Sequence, residues 1–368
     1  MSKLKKLIKS PQLFLRDFLI KKYPLMNCEQ GCSEMEEQVI MESQERLLAH
    51  DAVFLENSQH PVDVVFTWVN NKDPIWQRKY QTASKSIDKE NTGLYGADES
   101  RFEDHHELYY SVIAVKRYMP WVRKIFIVTD GQTPEFIENS EGVFIVDHED
   151  IIDKNYLPTF NSHVIEACLH RIEGLSENFI YFNDDVFVAR DLSPGHFFMP
   201  NGLASIFIAR KSLSQMSSKG VATPTLGASL HSRRLLSEKY SVSIDNPLVH
   251  TYVPLKKSVY DLAWKLFEKE INSFLPNKIR GNHDLNMATF LVPWLMYIER
   301  QSAPAVDICY YFNIRSAHAL TIYRKLLQKK SSKVQPHSFC ANDFHSDNQT
   351  SFPFAKELEK MLFNYYKK

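Results

Sequence analysis

The prediction of the fold starts from one stretch of sequence, Phe179-Ile180-Tyr181-Phe182-Asn183-Asp184-Asp185-Val186-Phe187. Its first four residues are apolar or aromatic and predict a short buried strand. Two adjacent carboxylates follow at once, and they repel each other unless a cation or a shared proton offsets the cost of dehydrating them. Ligands of open α/β sheets bind beyond the carboxyl ends of the strands. The stretch therefore indicates a metal or phosphate site, although Asn-Asp is also ordinary turn chemistry.

Strands and helices alternate on the amino-terminal side of this stretch. Strands are predicted over residues 62–69, 124–128 and 143–146, and helices over 75–88, 105–118 and from Asn161 onward. This alternation predicts a doubly wound, Rossmann-like α/β core with a mostly parallel sheet. Because parallel strands end at one edge of the sheet, the polar turns that follow them are expected to converge there.

The carboxyl-terminal half is predicted to add helices to this core. Residues 212–224 are rich in Ser, Gly and Lys and predict a surface loop. Helical patterns follow from Ser258, over about 283–298, over 317–327 and over 354–365. The predicted division is an amino-terminal basic segment and linker (1–58), an α/β catalytic core (59–210), a helical continuation that completes the active site (211–350) and a last helix (351–368).

Composition excludes several classes of protein. Lys+Arg and Asp+Glu both number 44 among 368 residues, so no global field indicates a nucleic-acid partner. No apolar run approaches the roughly 18 residues of a membrane-spanning helix. The cysteines are few and scattered, which predicts reduced thiols in a cytoplasmic protein. They are Cys28, Cys32, Cys168, Cys309 and Cys340.

Residues 1–22 form a basic amphipathic segment interrupted by Pro11. Such a segment can lie on an anionic membrane surface. The alternative is a helix that packs on its own domain with its lysines in water.

The sequence lacks the glycine motifs of common nucleotide enzymes. There is no Gly-x-x-x-x-Gly-Lys-Ser/Thr, no Gly-x-Gly-x-x-Gly and no Gly-x-Ser-x-Gly. Phosphate must then be held by side chains, by a metal or by helix amino termini. Candidates are Arg101, Arg280 and a metal on Asp184 and Asp185. His250 is a candidate base or phosphate donor, whereas a lone His in a polar loop is more often neither.

Four blocks of sequence, taken together, resemble the Stealth family of hexose-1-phosphate transferases over about residues 61–347. The first block is Asp63-Val64-Val65-Phe66-Thr67-Trp68-Val69-Asn70 with Asp73-Pro74. The second runs from Arg101-Phe102-Glu103-Asp104 and Glu107-Leu108-Tyr109-Tyr110-Ser111 to Asn183-Asp184-Asp185. The third contains His250, Arg280 and Asp284, and the fourth is Phe339-Cys340-Ala341-Asn342-Asp343.

The resemblance implies transfer of a sugar 1-phosphate from a UDP-sugar to a hydroxyl of a capsular glycan, with release of UMP. It implies that Asp184 and Asp185 bind Mg²⁺ or Mn²⁺ and act through this cation on the diphosphate. Alternatively, one of the two carboxylates would take the acceptor proton. Arg280 would stabilise developing charge, and His250 would be a base or phosphate donor. The implied substrate-binding residues are Trp68, Asn70, Asp73, Arg101, Asn183, Asp284, Asn342 and Asp343.

One departure from the family pattern concerns the third block. Many members have His-x-Pro where this chain has Tyr252-Val253-Pro254, and the histidine nearest to this position is His250, two residues earlier. The acid-base role therefore falls either to His250 or to an Asp. Two other functions also remain open. One is a UDP-sugar glycosyltransferase that releases UDP, and the other is a non-catalytic carbohydrate-binding subunit.

Overall fold

The computed structural model describes residues 37–40, 60–84, 102–316, 318–330, 335–344 and 353–367. The predictions for residues 1–22, for Cys28 and Cys32 and for Arg101 lie outside the described residues. The strands are β1 (Val62–Thr67), β2 (Ile125–Thr129), β3 (Val143–Asp147), β4 (Asn178–Asn183), β5 (Val186–Val188), β6 (Ala204–Ile206), β7 (Val253–Lys256), β8 (Ser302–Pro304), β9 (Cys309–Asn313) and β10 (Ser338–Asn342). The helices are α1 (Pro74–Ser84), α2 (Glu107–Tyr118), α3 (His148–Ile151), α4 (Ser162–Ala167), α5 (Pro194–Phe197), α6 (Leu213–Ser218), α7 (Pro224–Tyr240), α8 (Lys257–Phe274), α9 (Val292–Ile298), α10 (Ala319–Lys329) and α11 (Phe354–Tyr366).

The central sheet has the strand order β3-β2-β1-β4-β7. The first four strands are parallel, and β7 runs antiparallel to β4. The apolar runs of β1 and β4 are buried on both faces, as parallel strands covered by helices require. Strand order reverses between β1 and β4, where Thr67 pairs with Asn183. The predicted doubly wound α/β class is confirmed, and its topological switch point lies at these two strand ends.

A second sheet of three strands, β5-β10-β9, adjoins the first. Strand β5 begins directly after Asp185, so Asp184 and Asp185 form the turn that joins the two sheets. Ala341 in β10 donates its N–H to the Asp185 carbonyl oxygen (3.0 Å), which fixes this turn. The predicted carboxyl-terminal helices are present, but the sequence analysis missed β7, β9 and β10 there. These strands have four or five residues each and pair with distant segments, so local periodicity carries little signal for them.

The loop predicted over residues 212–224 is wrong in part, because α6 lies within it. Ser212 is the N-cap of α6, and its hydroxyl accepts a hydrogen bond from Gln215 N–H (3.1 Å). A short helix with a serine cap and a polar surface gives almost no apolar periodicity. Helix α7, which Thr223 caps in the same way, is longer, but its apolar residues do not segregate to one face, so it too gives little apolar periodicity.

At the edge of the central sheet opposite the polar turns, an ion pair joins a buried carboxylate to a partly exposed guanidinium. The Asp63 side chain in β1 is fully buried and accepts from Arg123 Nε (2.9 Å) and Nη2 (2.6 Å). The Ser176 N–H donates to the same carboxylate (2.8 Å). Asp63 therefore stabilises the sheet and lies away from the strand ends where ligands bind.

Replacing Arg123 with methionine is expected to lower the free energy of unfolding by about 3 kcal/mol, because it leaves a buried carboxylate without its cation. Urea unfolding curves of the variant and the wild type, fitted with the same dependence of free energy on urea concentration, would measure this change. Arg234→Met is the control, since Arg234 is 65% exposed and lies 3.9 Å from Glu238. That exposed pair is worth about 0.5 kcal/mol or less. Equal unfolding midpoints for the two variants would contradict the assignment.

Candidate active site

Four carboxyl groups gather where the two sheets meet. Asp184 and Asp185 come from the turn between β4 and β5, Glu107 is the first residue of α2, and Asp104 lies just before that helix. Burial raises the pKa of Asp184 well above its usual range, and the charges of Asp185 and Asp104 raise it further. Burial also raises the pKa of Glu107, again with contributions from Asp184 and Asp104. A cation would relieve this repulsion.

Asp185 has one carboxylate oxygen engaged by the protein and one that is not. Its Oδ2 accepts from Asn342 Nδ2 (3.0 Å) and from Cys340 Sγ (3.3 Å), both in β10. Its Oδ1 is buried and has no hydrogen-bond partner among the described residues. An orphaned buried oxygen next to a repelling carboxylate fits a divalent cation, because carboxylate oxygens are the ligands that Mg²⁺ and Mn²⁺ prefer.

A cavity of about 520 Å³ opens beyond the carboxyl ends of β1 and β2. This volume is typical of a small-molecule site. The cavity contacts the acid cluster through Asp104, whose Oδ1 accepts from Trp68 Nε1 (3.3 Å). The predicted residues Trp68 and Asn70 line it, together with Lys72, Asp104, His106, Leu108, Tyr109, Thr133, Pro134, Glu135 and Phe136.

Asp73, predicted to line the same cavity, lies instead at the start of α1. Its Oδ1 accepts from the backbone N–H groups of Ile75 (2.8 Å) and Trp76 (2.7 Å). A carboxylate in that position satisfies helix N–H groups that have no partner within the helix. The geometry therefore gives Asp73 a capping role beside the loop that carries Asn70.

Tyr181 connects the two strand ends at the switch point. Its hydroxyl lies 3.0 Å from Thr67 Oγ1 and donates to the predicted site residue Asn183 at Oδ1 (2.8 Å). Burial, followed by the charge of Glu166, raises the pKa of Tyr181 far above its usual range, while the charge of Arg280 opposes that shift.

Arg280 is held by hydroxyl groups. Its Nε donates to Ser162 Oγ (2.8 Å), its Nη2 donates to the same oxygen, and its Nη1 lies 3.5 Å from Thr225 Oγ1. Within the described part of the chain, no carboxylate accepts a hydrogen bond from Arg280. The guanidinium is half-buried, oriented and uncompensated, which suits an anionic ligand such as phosphate.

Asp284 organises the loop that carries Arg280. Its buried carboxylate accepts from Asn161 Nδ2 (2.9 Å), Asn277 Nδ2 (2.7 Å) and Gly281 N–H (2.9 Å), and it lies 3.0 Å from His163 Nδ1. Burial alone would raise the pKa of Asp284, but these hydrogen bonds, led by that from His163, lower it. The geometry supports a positioning role for this predicted substrate-binding residue.

Asp284→Asn is expected to lower the free energy of unfolding by about 2–3 kcal/mol at neutral pH, the value of a hydrogen bond to a charged group. Since the folded pKa lies below the ordinary 3.8, this stabilisation is complete above pH 3.8 and decreases as the pH falls toward the folded pKa. The urea concentrations at which the wild type and Asp284→Asn are half unfolded, measured at a series of pH values below neutral, should therefore converge below pH 3.8. Asp261→Asn, at a side chain that is 52% exposed, is the matched control. A constant difference at every pH would contradict the assignment.

His250 precedes β7, and its side chain lies near Asp185 of the acid cluster. Its carbonyl oxygen accepts from Cys309 Sγ (3.5 Å), and its ring centre lies 5.3 Å from that of Tyr311. One atom each of His250, Asp185 and Cys340 lie within 4.8 Å of one another. Tyr252, the first residue of the Tyr-Val-Pro segment at which the sequence departs from the expected pattern, is fully buried and donates to Asp307 Oδ1 (2.7 Å). His250 is therefore the histidine that faces Asp185.

Asn342 and Asp343 end β10 with different roles. Asn342 contacts Asp185, as described above. Asp343 accepts from Arg315 Nε and Nη2 (2.9 Å for Nη2) and lies 3.1 Å from His105 Nε2. Burial alone would raise the pKa of Asp343, but the hydrogen bonds from His105 and Arg315 lower it. Its charge is compensated by the protein.

The sequence analysis did not assign Asp104, Glu107 or Cys340 to the site. Asp104 and Glu107 lie in the second block, but Asp104 just precedes and Glu107 begins an amphipathic helix, where acids are common. Cys340 lies in an apolar strand and has the pattern of a core residue. Only the pairing of β5 with β10 brings its thiol to Asp185.

Comparison with known proteins identifies the family. "Stealth protein CR2, conserved region 2" matches residues 101–206, and "Stealth protein CR1, conserved region 1" matches residues 60–88. The capsular polysaccharide phosphotransferase of Actinobacillus suis is 56% identical, over 99% of this chain and 98% of that protein. The chain belongs to the Stealth family. Capsular polysaccharide phosphotransferase LcbA of Neisseria meningitidis, also similar, is 54% identical over the full length of both chains.

Membership of the Stealth family confirms the predicted enzyme class, a phosphotransferase of capsular polysaccharide biosynthesis. Among solved structures, the galactosyltransferase LgtC in complex with donor and acceptor sugar analogs aligns with a TM-score of 0.40 at 9% identity. That alignment covers 82% of this chain and 95% of LgtC, and both scores are too low to support a functional argument. Among the described helices, none is both long and apolar enough to cross a membrane.

Proposed function

We propose that this chain transfers an N-acetylhexosamine 1-phosphate from a UDP-sugar to a hydroxyl of a growing capsular glycan and releases UMP. The bond that breaks joins the sugar-bearing phosphorus to the oxygen that bridges the two phosphorus atoms, and this oxygen leaves with UMP. The new bond joins the sugar-bearing phosphorus to the acceptor oxygen, whose proton passes to the enzyme. The sugar–oxygen bond stays intact.

One observation carries this proposal. A cluster of repelling carboxylates lies at the turn after β4, and Arg280, which donates to Ser162 at the start of α4, has no carboxylate partner among the described residues. Phosphoryl transfer requires positioning and neutralisation of phosphate oxygens more than covalent help from the protein. The site offers both kinds of charge.

Each residue has a role in the proposal. Asp184 and Asp185 would hold Mg²⁺ or Mn²⁺, which neutralises charge on the diphosphate oxygens when bound. Arg280 binds the transferred phosphoryl group, and Ser162 and Asp284 keep its loop in place. Trp68 and Asn70 of the first block and Asn183 of the second would line the donor side, together with Arg101, which begins the second block. His250 or a neighbouring carboxylate receives the acceptor proton.

The acceptor and the cellular location complete the proposal. A capsular glycan supplies the hydroxyl, in line with the names of the relatives. We place the enzyme in the cytoplasm, with residues 1–22 in peripheral contact with the inner membrane so that the active site meets the growing chain.

The nucleotide product tests the reaction. Purified protein would be incubated with Mg²⁺, a panel of UDP-N-acetylhexosamines and capsule-type oligosaccharides, with Asp184→Asn as the inactive control. Release of UMP, matched by an acid-labile phosphodiester in the glycan, is the expected result. Release of UDP would overturn the proposal in favour of glycosyl transfer.

A further inference from the structure

We infer that Asp185, His250 and Cys340 form a second ligand set that binds a borderline-soft divalent cation of the Zn²⁺ class and competes with the Mg²⁺ chemistry of the site. The three side chains come from three separate segments: the β4–β5 turn, the segment before β7, and β10. One ligand atom from each lies within 4.8 Å of the other two.

The spacing of these atoms fits a shared ion. Cys340 Sγ lies 3.3 Å from Asp185 Oδ2. Zn–S and Zn–O bonds of about 2.3 and 2.0 Å at a tetrahedral angle would separate the two atoms by about 3.5 Å. Small side-chain movements therefore suffice to form the site.

The chemistry of the set distinguishes it from the predicted Mg²⁺ ligands. Mg²⁺ prefers six oxygen ligands, whereas thiolate and imidazole select Zn²⁺ and Co²⁺. Three protein ligands with a fourth position open to solvent or phosphate is the arrangement of a reactive zinc site. The buried Asp185 Oδ1, which has no hydrogen-bond partner among the described residues, adds a second oxygen for the ion.

The surrounding protein holds the ligands in place. Asn342 Nδ2 donates to Asp185 Oδ2 and fixes the plane of that carboxylate. Cys309 Sγ donates to the His250 carbonyl oxygen and fixes the backbone that carries the imidazole. Such supporting hydrogen bonds orient ligands and typically contribute about 10- to 100-fold in affinity.

Asp185 belongs both to the Zn²⁺ ligand set and to the Mg²⁺ site, so binding of Zn²⁺ would regulate the enzyme. This consequence rests on the proposed function. An ion on Asp185, His250 and Cys340 removes the carboxylate and the histidine from phosphoryl transfer. Zn²⁺ should therefore inhibit UMP release supported by Mg²⁺, and Cys340→Ser should weaken that inhibition.

Cobalt spectroscopy tests the binding without using activity. Co²⁺ is titrated into full-length protein carrying Cys28→Ser and Cys32→Ser, because two thiols four residues apart can bind metal on their own. A thiolate-to-cobalt charge-transfer band in the near ultraviolet is expected, and Zn²⁺ should abolish it. The band should be lost in Cys340→Ser and kept in Cys168→Ser. Cys168 is a buried core thiol whose pKa burial raises to about 11.

The absence of a band, or a band that persists in Cys340→Ser, would overturn the inference whether or not the protein transfers sugar phosphate. His250→Ala supplies a second measurement in case Cys340→Ser does not fold. It keeps the thiol and should shift the cobalt titration to higher concentration, and an unchanged titration would also overturn the inference. A band together with UDP release would support the metal site and reject only the proposed reaction.

Discussion

Replacing Arg280 with methionine is expected to lower kcat for sugar 1-phosphate transfer by about 10³- to 10⁵-fold, the range measured when a charge-stabilising arginine is lost from phosphoryl-transfer enzymes. The structure gives a reason for so large an effect. Ser162 and Thr225 orient the guanidinium but leave its charge uncompensated among the described residues. A charge oriented in advance costs no reorganisation during the reaction.

Two further variants separate catalysis from folding in this experiment. Arg280→Lys keeps the charge but lacks the planar, bidentate geometry, so it should recover only part of the lost rate. Arg233→Met removes a surface arginine that pairs with Asp245 (2.7 Å) and should leave the rate unchanged. Rates would be measured as UMP release, with thermal unfolding as the check on folding. A wild-type rate in Arg280→Met would reject its role in charge stabilisation.

The amino-terminal half of the fold could be predicted from sequence because its signals are local. Strands β1, β2 and β4 are continuous apolar runs, and each ends in polar residues. A parallel sheet requires that pattern, since its strands are buried on both faces and ligands bind at their carboxyl ends. The same rule located Asp184 and Asp185 before any contact was known.

The second sheet could not be predicted in this way. Strand β10 pairs with β5, about 150 residues earlier in the chain, and its five residues resemble any short apolar segment. Its contribution to the site, Cys340 and Asn342 against Asp185, depends entirely on that pairing. Asp104 and Glu107 were missed because a carboxylate before a helix has a common structural explanation.

Three residues were located by motif, but the sequence did not indicate how they act. Asp73 caps α1, and Asp284 holds the Arg280 loop through four hydrogen-bonding groups. Asp343 pairs with Arg315. A motif shows that a carboxylate is present, whereas its role follows from what its oxygens contact. Asp184 and Asp185 differ from these three, because their environment leaves charge unneutralised.

Replacing Asp184 with asparagine is expected to abolish most of the activity while stabilising the fold. Loss of a carboxylate that supports charge neutralisation by a metal costs several kcal/mol in the transition state, which corresponds to about 10³-fold or more in kcat. Asparagine has nearly the same shape, so packing is preserved. It also removes the repulsion among Asp184, Asp185 and Asp104.

The stability gain should depend on pH in a defined direction. Burial and the neighbouring acids raise the folded pKa of Asp184 above its ordinary 3.8, so the folded state binds more protons than the unfolded chain between these two values. The free energy of unfolding of the wild type therefore falls as the pH rises through that interval. The free energy of unfolding of Asp184→Asn should equal that of the wild type below pH 3.8 and should be larger than that of the wild type at neutral pH.

Unfolding by urea across this pH range, with and without Mg²⁺, measures both effects. Mg²⁺ should raise the stability of the wild type, because it binds the folded acid cluster and offsets the repulsion, and it should raise that of Asp184→Asn much less. Asp191→Asn removes an exposed carboxylate and serves as the control for a change in net charge. If Asp184→Asn released UMP at the wild-type rate, or lost stability at neutral pH, the acid cluster would be a structural element and the phosphate-handling site would have to lie elsewhere on the sheet edge. Loss of activity with a gain in stability would show that these carboxylates are kept together for catalysis at a cost to the fold.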